Sequence, residues 1–168
     1  MGIKSNLKKV KRDNSKSNNI SSNLVVYLYE KGHSPITTRF KGYGLAECDT
    51  LSISNSEYIY EYEIKISKAD FKKDFIKEKH SYIKSGNYVV ENKKGIWYNT
   101  ANYFYFVVPE NLISVEDIPE YAGLMYSIGN TFVTIKKAPL LHKTKATTEL
   151  IRAICHQLTT KLVFNKII

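Results

Sequence analysis

The sequence predicts a mixed α/β domain in which helices flank a central sheet. Three observations predict it. Along the 168 residues the apolar spacing is first helical, then alternating, then helical, alternating and helical again. The chain is 43% hydrophobic and 24% charged, the composition of an ordinary soluble globular protein, and long enough to bury one sizeable core. No internal repeat breaks the order, and no low-complexity segment occurs beyond the start of the chain.

The first 18 residues read as a basic, Asn/Ser-rich flexible arm, with Lys4, Lys8, Lys9, Lys11, Arg12 and Lys16 against Asp13, leading into a single domain over 19–168. In "NISSNLVVYLYEKGH" Ile20, Leu24, Tyr27 and Leu28 mark one buried helical face, with Ser21 or Ser22 as cap and Gly32 as stop. "PITTRFKGYG", "GLAECDTLSI" and "YIYEYEIKIS" then read as extended, the last two as antiparallel neighbours across "SNSE". "KADFKKDFIKEKHSYI" returns to helical spacing, with Phe71, Phe75 and Tyr82 in phase beside a stripe of Lys68, Lys72 and Lys79. "NYVVENKKGIWYN" reads as a hairpin, "NYFYFVVP" as a central strand covered on both faces, and "AGLMYSIG" with "TFVTIKK" as a second hairpin turning at Gly129-Asn130. A last helix is expected to bury Ile151, Ile154, Cys155, Leu158 and Leu162.

Composition narrows the function classes. No apolar run approaches the roughly 18–20 residues that cross a bilayer, no secretory leader is visible, and "MGIKSN" has Asn where a myristoylation signal wants Ser or Thr. A cytoplasmic protein without membrane partners is expected. Two cysteines, Cys48 and Cys155, make no disulfide framework or metal motif and are expected as buried thiols. The net charge of +9 suits a polyanion such as nucleic acid.

The chemistry is carried by "YIYEYEIKIS". Its even positions, Tyr58, Tyr60, Tyr62, Ile64 and Ile66, are large and apolar, whereas Glu61, Glu63 and Lys65 share the opposite face. Glu63 and Lys65 therefore project together, roughly 7 Å apart along the strand. Glu47 and Asp49 are likewise cofacial, and antiparallel pairing brings Asp49 beside Glu63. Two convergent carboxylates suit a hard divalent cation, which orients and acidifies water, and a nearby lysine stabilises a charged transition state. On spacing alone a Glu–Lys pair on an exposed strand face more often means solvation than catalysis.

The ordered blocks "ECDTLSI", "EIKISKADFKKD", "YFYFVVPENLI", "IPEYAGLMYSIG" and "IKKAPLLH" resemble the PD-(D/E)XK nuclease superfamily, more closely its MmcB-like DNA-repair nucleases and related phage proteins. The resemblance spans about residues 20 to 143. It implies a restriction-endonuclease-like core and a Mg²⁺- or Mn²⁺-dependent DNA endonuclease of DNA repair or phage DNA processing. By position it implies Asp49 and Glu63 as metal ligands with the Ile64 carbonyl, Lys65 as the catalytic lysine, and Glu30 as an additional acidic residue. A dimer fits relatives that cut two strands with two sites. Ile66 stands where the family has a serine, and Lys79-His80 where it has Lys-Trp.

Beside these stand plainer readings. Glu47 is either a further ligand or an exposed strand carboxylate, Glu61 a rim residue, and Asp70 and Asp74 helix-surface charges. Lys68, Lys72 and Lys79 are candidates for nucleic-acid contact, and His80 for the same or for plain surface. Most of the 13 tyrosines fit strand packing, and Trp97 is a strand or base contact or a hydrophobic plug. A non-catalytic nucleic-acid-binding module on the same fold, or an adaptor for another protein, fits the same sequence.

Overall fold

The computed structural model describes residues 15–93 and 95–164, so residues 1–14 of the expected basic arm lie outside the described residues. Helix α1 spans Ser15–Glu30, followed by strands β1 (Ile36–Gly42), β2 (Leu45–Ile53) and β3 (Ile59–Ile64). Helices α2 (Lys68–Asp74) and α3 (Glu78–Ser85) lead to a hairpin of β4 (Val89–Asn92) and β5 (Gly95–Tyr98). Strand β6 (Tyr103–Pro109), the pair β7 (Gly123–Ile128) and β8 (Thr131–Lys136), and helix α4 (Thr148–Val163) complete the chain.

Six strands form one mixed sheet in the order β1-β2-β3-β6-β7-β8, and β4-β5 form a separate two-stranded sheet. The β3–β6 and β6–β7 steps are parallel, while β1–β2, β2–β3 and β7–β8 are antiparallel. The fold is thus α/β, with a mixed central sheet flanked by helices. Both expected hairpins form, and β6 lies at the centre, with Phe104, Phe106, Val107 and Val108 fully buried.

On one face, Ile20, Leu24 and Leu28 of α1 pack against Tyr62, Ile64, Val107, Met125 and Phe132. Tyr60, Tyr62, Tyr103 and Tyr105 stack as a ring ladder on this side, with centroids 4.5–6.5 Å apart. These four tyrosines are packing residues, as their alternation predicts. On the opposite face, Phe71 and Ile83 meet Phe104, Phe106, Val108 and Leu124, while Leu150 and Ile154 meet Leu51, Ile53, Ile59 and Tyr98.

Three expectations are corrected. Helix α1 begins at Ser15, within the expected arm, and Ser22 donates to the Asn18 carbonyl from inside it, so neither Ser21 nor Ser22 caps the helix. Its first turns are polar and carry no apolar period to betray them. Gly32, at φ 82°, does end it. The helix expected over 68–83 breaks between Asp74 and Glu78, with Lys77 donating its N–H to the Asp74 carbonyl. Helix α4 buries Ile154 and packs Ile151 and Leu158 against the core as expected, but it is rotated so that Leu150 is buried too, whereas Leu162 is 60% exposed and Cys155 lies on the surface. Thr147 caps α4 through the Leu150 N–H, and its own N–H donates to the buried Tyr98 hydroxyl. That anchor turns Gln157 and Lys161, rather than Cys155 and Leu162, toward the edge strand β1.

Candidate active site at the ends of strands β2 and β3

Strand β3 carries both faces of its alternation into the interior. Its even side chains meet α1, and its odd ones, Glu61, Glu63 and Lys65, are 2%, 1% and 4% exposed. Burial of that many charges is tolerable only if each is paired. The partners come from the break between α2 and α3. Lys79 Nζ lies 2.5 Å from Glu61 Oε1 and 2.5 Å from Glu63 Oε1. Lys65 and Lys77 approach Glu63 Oε2 at 2.7 and 2.9 Å, and Asp74 Oδ1 at 2.7 and 2.6 Å. Their approach to Asp74 Oδ1 is ionic, off the hydrogen-bonding direction. Asp74 Oδ2 is 2.8 Å from His80 Nε2, and His80 Nδ1 is 2.9 Å from the Tyr121 hydroxyl. Three carboxylates thus face three ammoniums, and only Lys77, with its side chain 41% exposed, reaches water freely.

Burial raises the pKa of Glu61, opposed chiefly by Lys79. Burial also acts to raise Glu63, but Lys79 and Lys65 outweigh it and hold Glu63 below its ordinary value. For Asp74 the His80 hydrogen bond and Lys65 likewise overcome burial and hold the carboxyl far down. Burial disfavours the Lys65 charge, yet Glu63 and Asp74 prevail and push its pKa well above that of a free lysine. Lys65 is therefore an ammonium at neutral pH, a donor rather than a base. Burial and the Asp74 charge push Tyr121 up to about 12.

Asp49 completes the arrangement from β2. The β2–β3 pairing runs from Ile53↔Ile59 to Thr50↔Tyr62, which places Asp49 next to Glu63. Beyond that pair the Ile64 N–H has the Asp49 carboxylate as its acceptor, at 2.8 Å. Asp49 is thereby pinned to the residue between Glu63 and Lys65. Burial first, and the Glu63 charge second, raise its pKa. Asp49, Glu47 and Ile64 line a polar cavity of about 370 Å³ together with Arg39 and with Ser17, Asn18 and Ser21 of α1. Glu63 is not among its lining residues, since its carboxylate is turned to the lysines.

The sequence-predicted residues thus sort by position. Asp49, Glu63, Ile64 and Lys65 come together, with Glu47 exposed on the cavity rim. Lys68 and Lys72 are exposed on α2. Glu30 does not join them: it is exposed at the far end of α1, nine residues beyond Ser21, or about 14 Å along the helix. Lys79 is 2% exposed and ion-paired, so it is a strut of the core and no surface contact for nucleic acid. Glu61 is buried rather than on the rim, and Asp74 and His80 are buried rather than on the helix surface. Trp97 stacks on Tyr43 at a centroid distance of 6.2 Å. Among the described residues no three His, Cys, Asp or Glu side chains converge as a ready ligand set.

Sequence reasoning missed Asp74, Lys77, His80 and Arg39. A signal existed for two of them: Asp74 follows Phe71 by three residues and His80 precedes Ile83 by three, on the apolar faces of their helices. Arg39 had none. It adopts φ 50° in the middle of β1, the one non-glycine strand residue with positive φ among those described, at a cost of about 1–3 kcal/mol.

No family model matches the sequence, and no curated protein matches it. Among solved structures the fold is similar to the SPO1766 protein of unknown function from Silicibacter pomeroyi, with a TM-score of 0.58 at 16% identity. That likeness covers 87% of this chain and 85% of the other. It is a likeness of fold alone.

Proposed function

We propose that the chain is a Mg²⁺- or Mn²⁺-dependent nuclease of the PD-(D/E)XK type, with a restriction-endonuclease-like core, that hydrolyses DNA phosphodiester bonds. The observation that carries this reading is the bond from the Ile64 N–H to Asp49, which fixes an acid from one strand between the Glu and the Lys of the next, beside a polar cavity. The donor set fits a hard cation. Asp49, Glu47 and Ile64 offer oxygens on one cavity, and a cation there would relieve the burial and the repulsion from Glu63 that raise the Asp49 pKa. Glu63 would join by releasing Lys77, the partner already open to solvent. A bound cation would supply an acidified water and offset charge on the phosphate. Lys65, held as an ammonium by Glu63 and Asp74, would stabilise the extra charge of the transition state. Asp74 and His80 fix that ammonium in place.

One observation favours a second reading, a non-catalytic nucleic-acid-binding module. Both Glu63 oxygens already carry ammonium partners, so the cluster is satisfied as it stands. Incubation of plasmid, single-stranded and branched DNA with Mg²⁺ or with Mn²⁺, and with chelator, separates the two. The nuclease reading expects metal-dependent products that Glu63→Gln and Lys65→Met abolish. Chelator-insensitive binding without products, or variants that cut like wild type, would reject it.

A further inference from the structure

Strand β1 pairs with β2 as Thr38↔Thr50 and Phe40↔Cys48, so Arg39 stands directly opposite Asp49. A cross-strand Arg and Asp ordinarily close into an ion pair. Here they do not: among the described residues Arg39 makes no ion pair with Asp49 or Glu47, although all three line the same cavity. Its Nη2 donates instead to Asn18 Oδ1 at 3.1 Å, on α1, and its carbonyl accepts from Gln157 Nε2 of α4 at 3.1 Å. Arg39 is thus held from both flanking helices, its guanidinium by α1 and its left-handed backbone by α4. The side chain and Asp49 stay apart, with the cavity of about 370 Å³ between them.

We infer that this cavity is a phosphate subsite in which Arg39, backed by Asn18 and Ser21, takes the phosphodiester of a nucleic acid whose cation side faces Asp49 and Glu47. The inference rests on the nuclease reading for its choice of ligand. Its geometry has a separate root, an Arg and an Asp held apart across a polar space. The surrounding charge agrees. Lys161 is partly buried beside β1, reaching the Thr38 carbonyl, and its pKa is lowered by burial and then by Arg39. An anion would relieve that repulsion. The carboxylates of Glu47 and Asp49 oppose an anion unless a cation sits between, which gives the cavity a cationic and an anionic wall and orients a phosphate across it. The guanidinium is suited to the task, as its planar fork grips two phosphate oxygens at once.

The test is binding of a fluorescein-labelled DNA duplex, and of the matching single strand, by anisotropy in Ca²⁺ over a series of salt concentrations. Wild type is compared with Arg39→Ala, Arg39→Gly and Lys84→Ala, an exposed lysine on α3 that serves as a charge control. Arg39→Ala is expected to weaken binding at least about tenfold and to lower the salt slope by about one. Lys84→Ala should change binding by less than about twofold. Arg39→Gly accommodates the φ of 50° without strain, so it should melt no lower than Arg39→Ala while losing the same binding. Wild-type binding retained in Arg39→Ala, recovery in Arg39→Gly, an equal loss in Lys84→Ala, or no binding by wild type overturns the subsite. Cleavage in Mg²⁺ is scored separately. An Arg39-dependent complex that forms no products keeps the subsite and rejects the nuclease. Products formed at wild-type rate and affinity by Arg39→Ala keep the nuclease and reject the subsite.

Discussion

Replacement of Lys79 by Met keeps the aliphatic stem and removes one ammonium that is 2% exposed. Glu61 then loses its one ion-pair partner among the described residues, while Glu63 keeps Lys65 and Lys77. An uncompensated buried carboxylate costs about 3–5 kcal/mol. A chain of 168 residues shifts its melting temperature by about 2–4 °C per kcal/mol, so a fall of about 6–20 °C is expected. Burial already raises the Glu61 pKa, and without Lys79 it rises further, so the folded variant holds a proton that the unfolded chain gives up. The loss is therefore greatest above the folded pKa and shrinks as the pH falls through it. Thermal melts followed by circular dichroism at about pH 8 and about pH 5 read this directly, and Glu61→Gln in the Lys79→Met background should recover much of the loss. A fall of less than about 2 °C, or a Glu61→Gln change equally costly in both backgrounds, would refute the buried pairing.

The remaining predictions concern other parts of the molecule. Asp74 is held below its ordinary 3.8 by partners that outweigh its burial, so its ionised form adds stability above about that pH and loses it as the pH falls toward the folded value. Urea unfolding across the acid range should show wild type losing stability below about pH 4, and Asp74→Asn less stable at neutral pH with a flatter acid limb. Gly123→Ala should cost about 1–3 kcal/mol or more in the same assay, because its Cβ would lie 2.7 Å from the Ala138 backbone nitrogen and against the Tyr105 ring. A thiol reagent should titrate Cys155 rapidly in the native protein and Cys48 only after denaturation, since Cys48 is buried and its pKa is raised by burial and by Glu61. Loss of the rapid phase in Cys155→Ser checks the assignment.

Much of the sheet was legible because strands announce their faces. The alternation of Tyr58 to Ile66 located β3 and its apolar face, and the short polar turn before it placed β2 at its side. The depth of a charge is not written locally in the same way. Glu61, Asp74 and Lys79 carry side chains that read as surface, and each is buried only because its counter-charge arrives from an element up to 18 residues away. The helix break that delivers Lys77 and Lys79 to Glu63 left no glycine or proline as a mark. The phase of α4 was ambiguous because its sequence offers two apolar stripes, and the Tyr98 anchor, 49 residues from Thr147, selects between them. Arg39 was invisible for another reason: its guanidinium is held by Asn18 and its backbone carbonyl by Gln157, partners 21 and 118 residues distant.

A divalent ion is what separates a hydrolytic centre from a satisfied structural cluster, and Mn²⁺ binding followed by electron paramagnetic resonance measures it without recourse to any substrate. Wild type is expected to take up Mn²⁺ in competition with Mg²⁺, and Asp49→Asn, which leaves the Ile64 N–H an acceptor, to lose that uptake while remaining folded. Failure of wild type to bind Mn²⁺, or equal binding by Asp49→Asn, would contradict the assignment of Asp49, Glu63 and Lys65 as the centre of a nuclease.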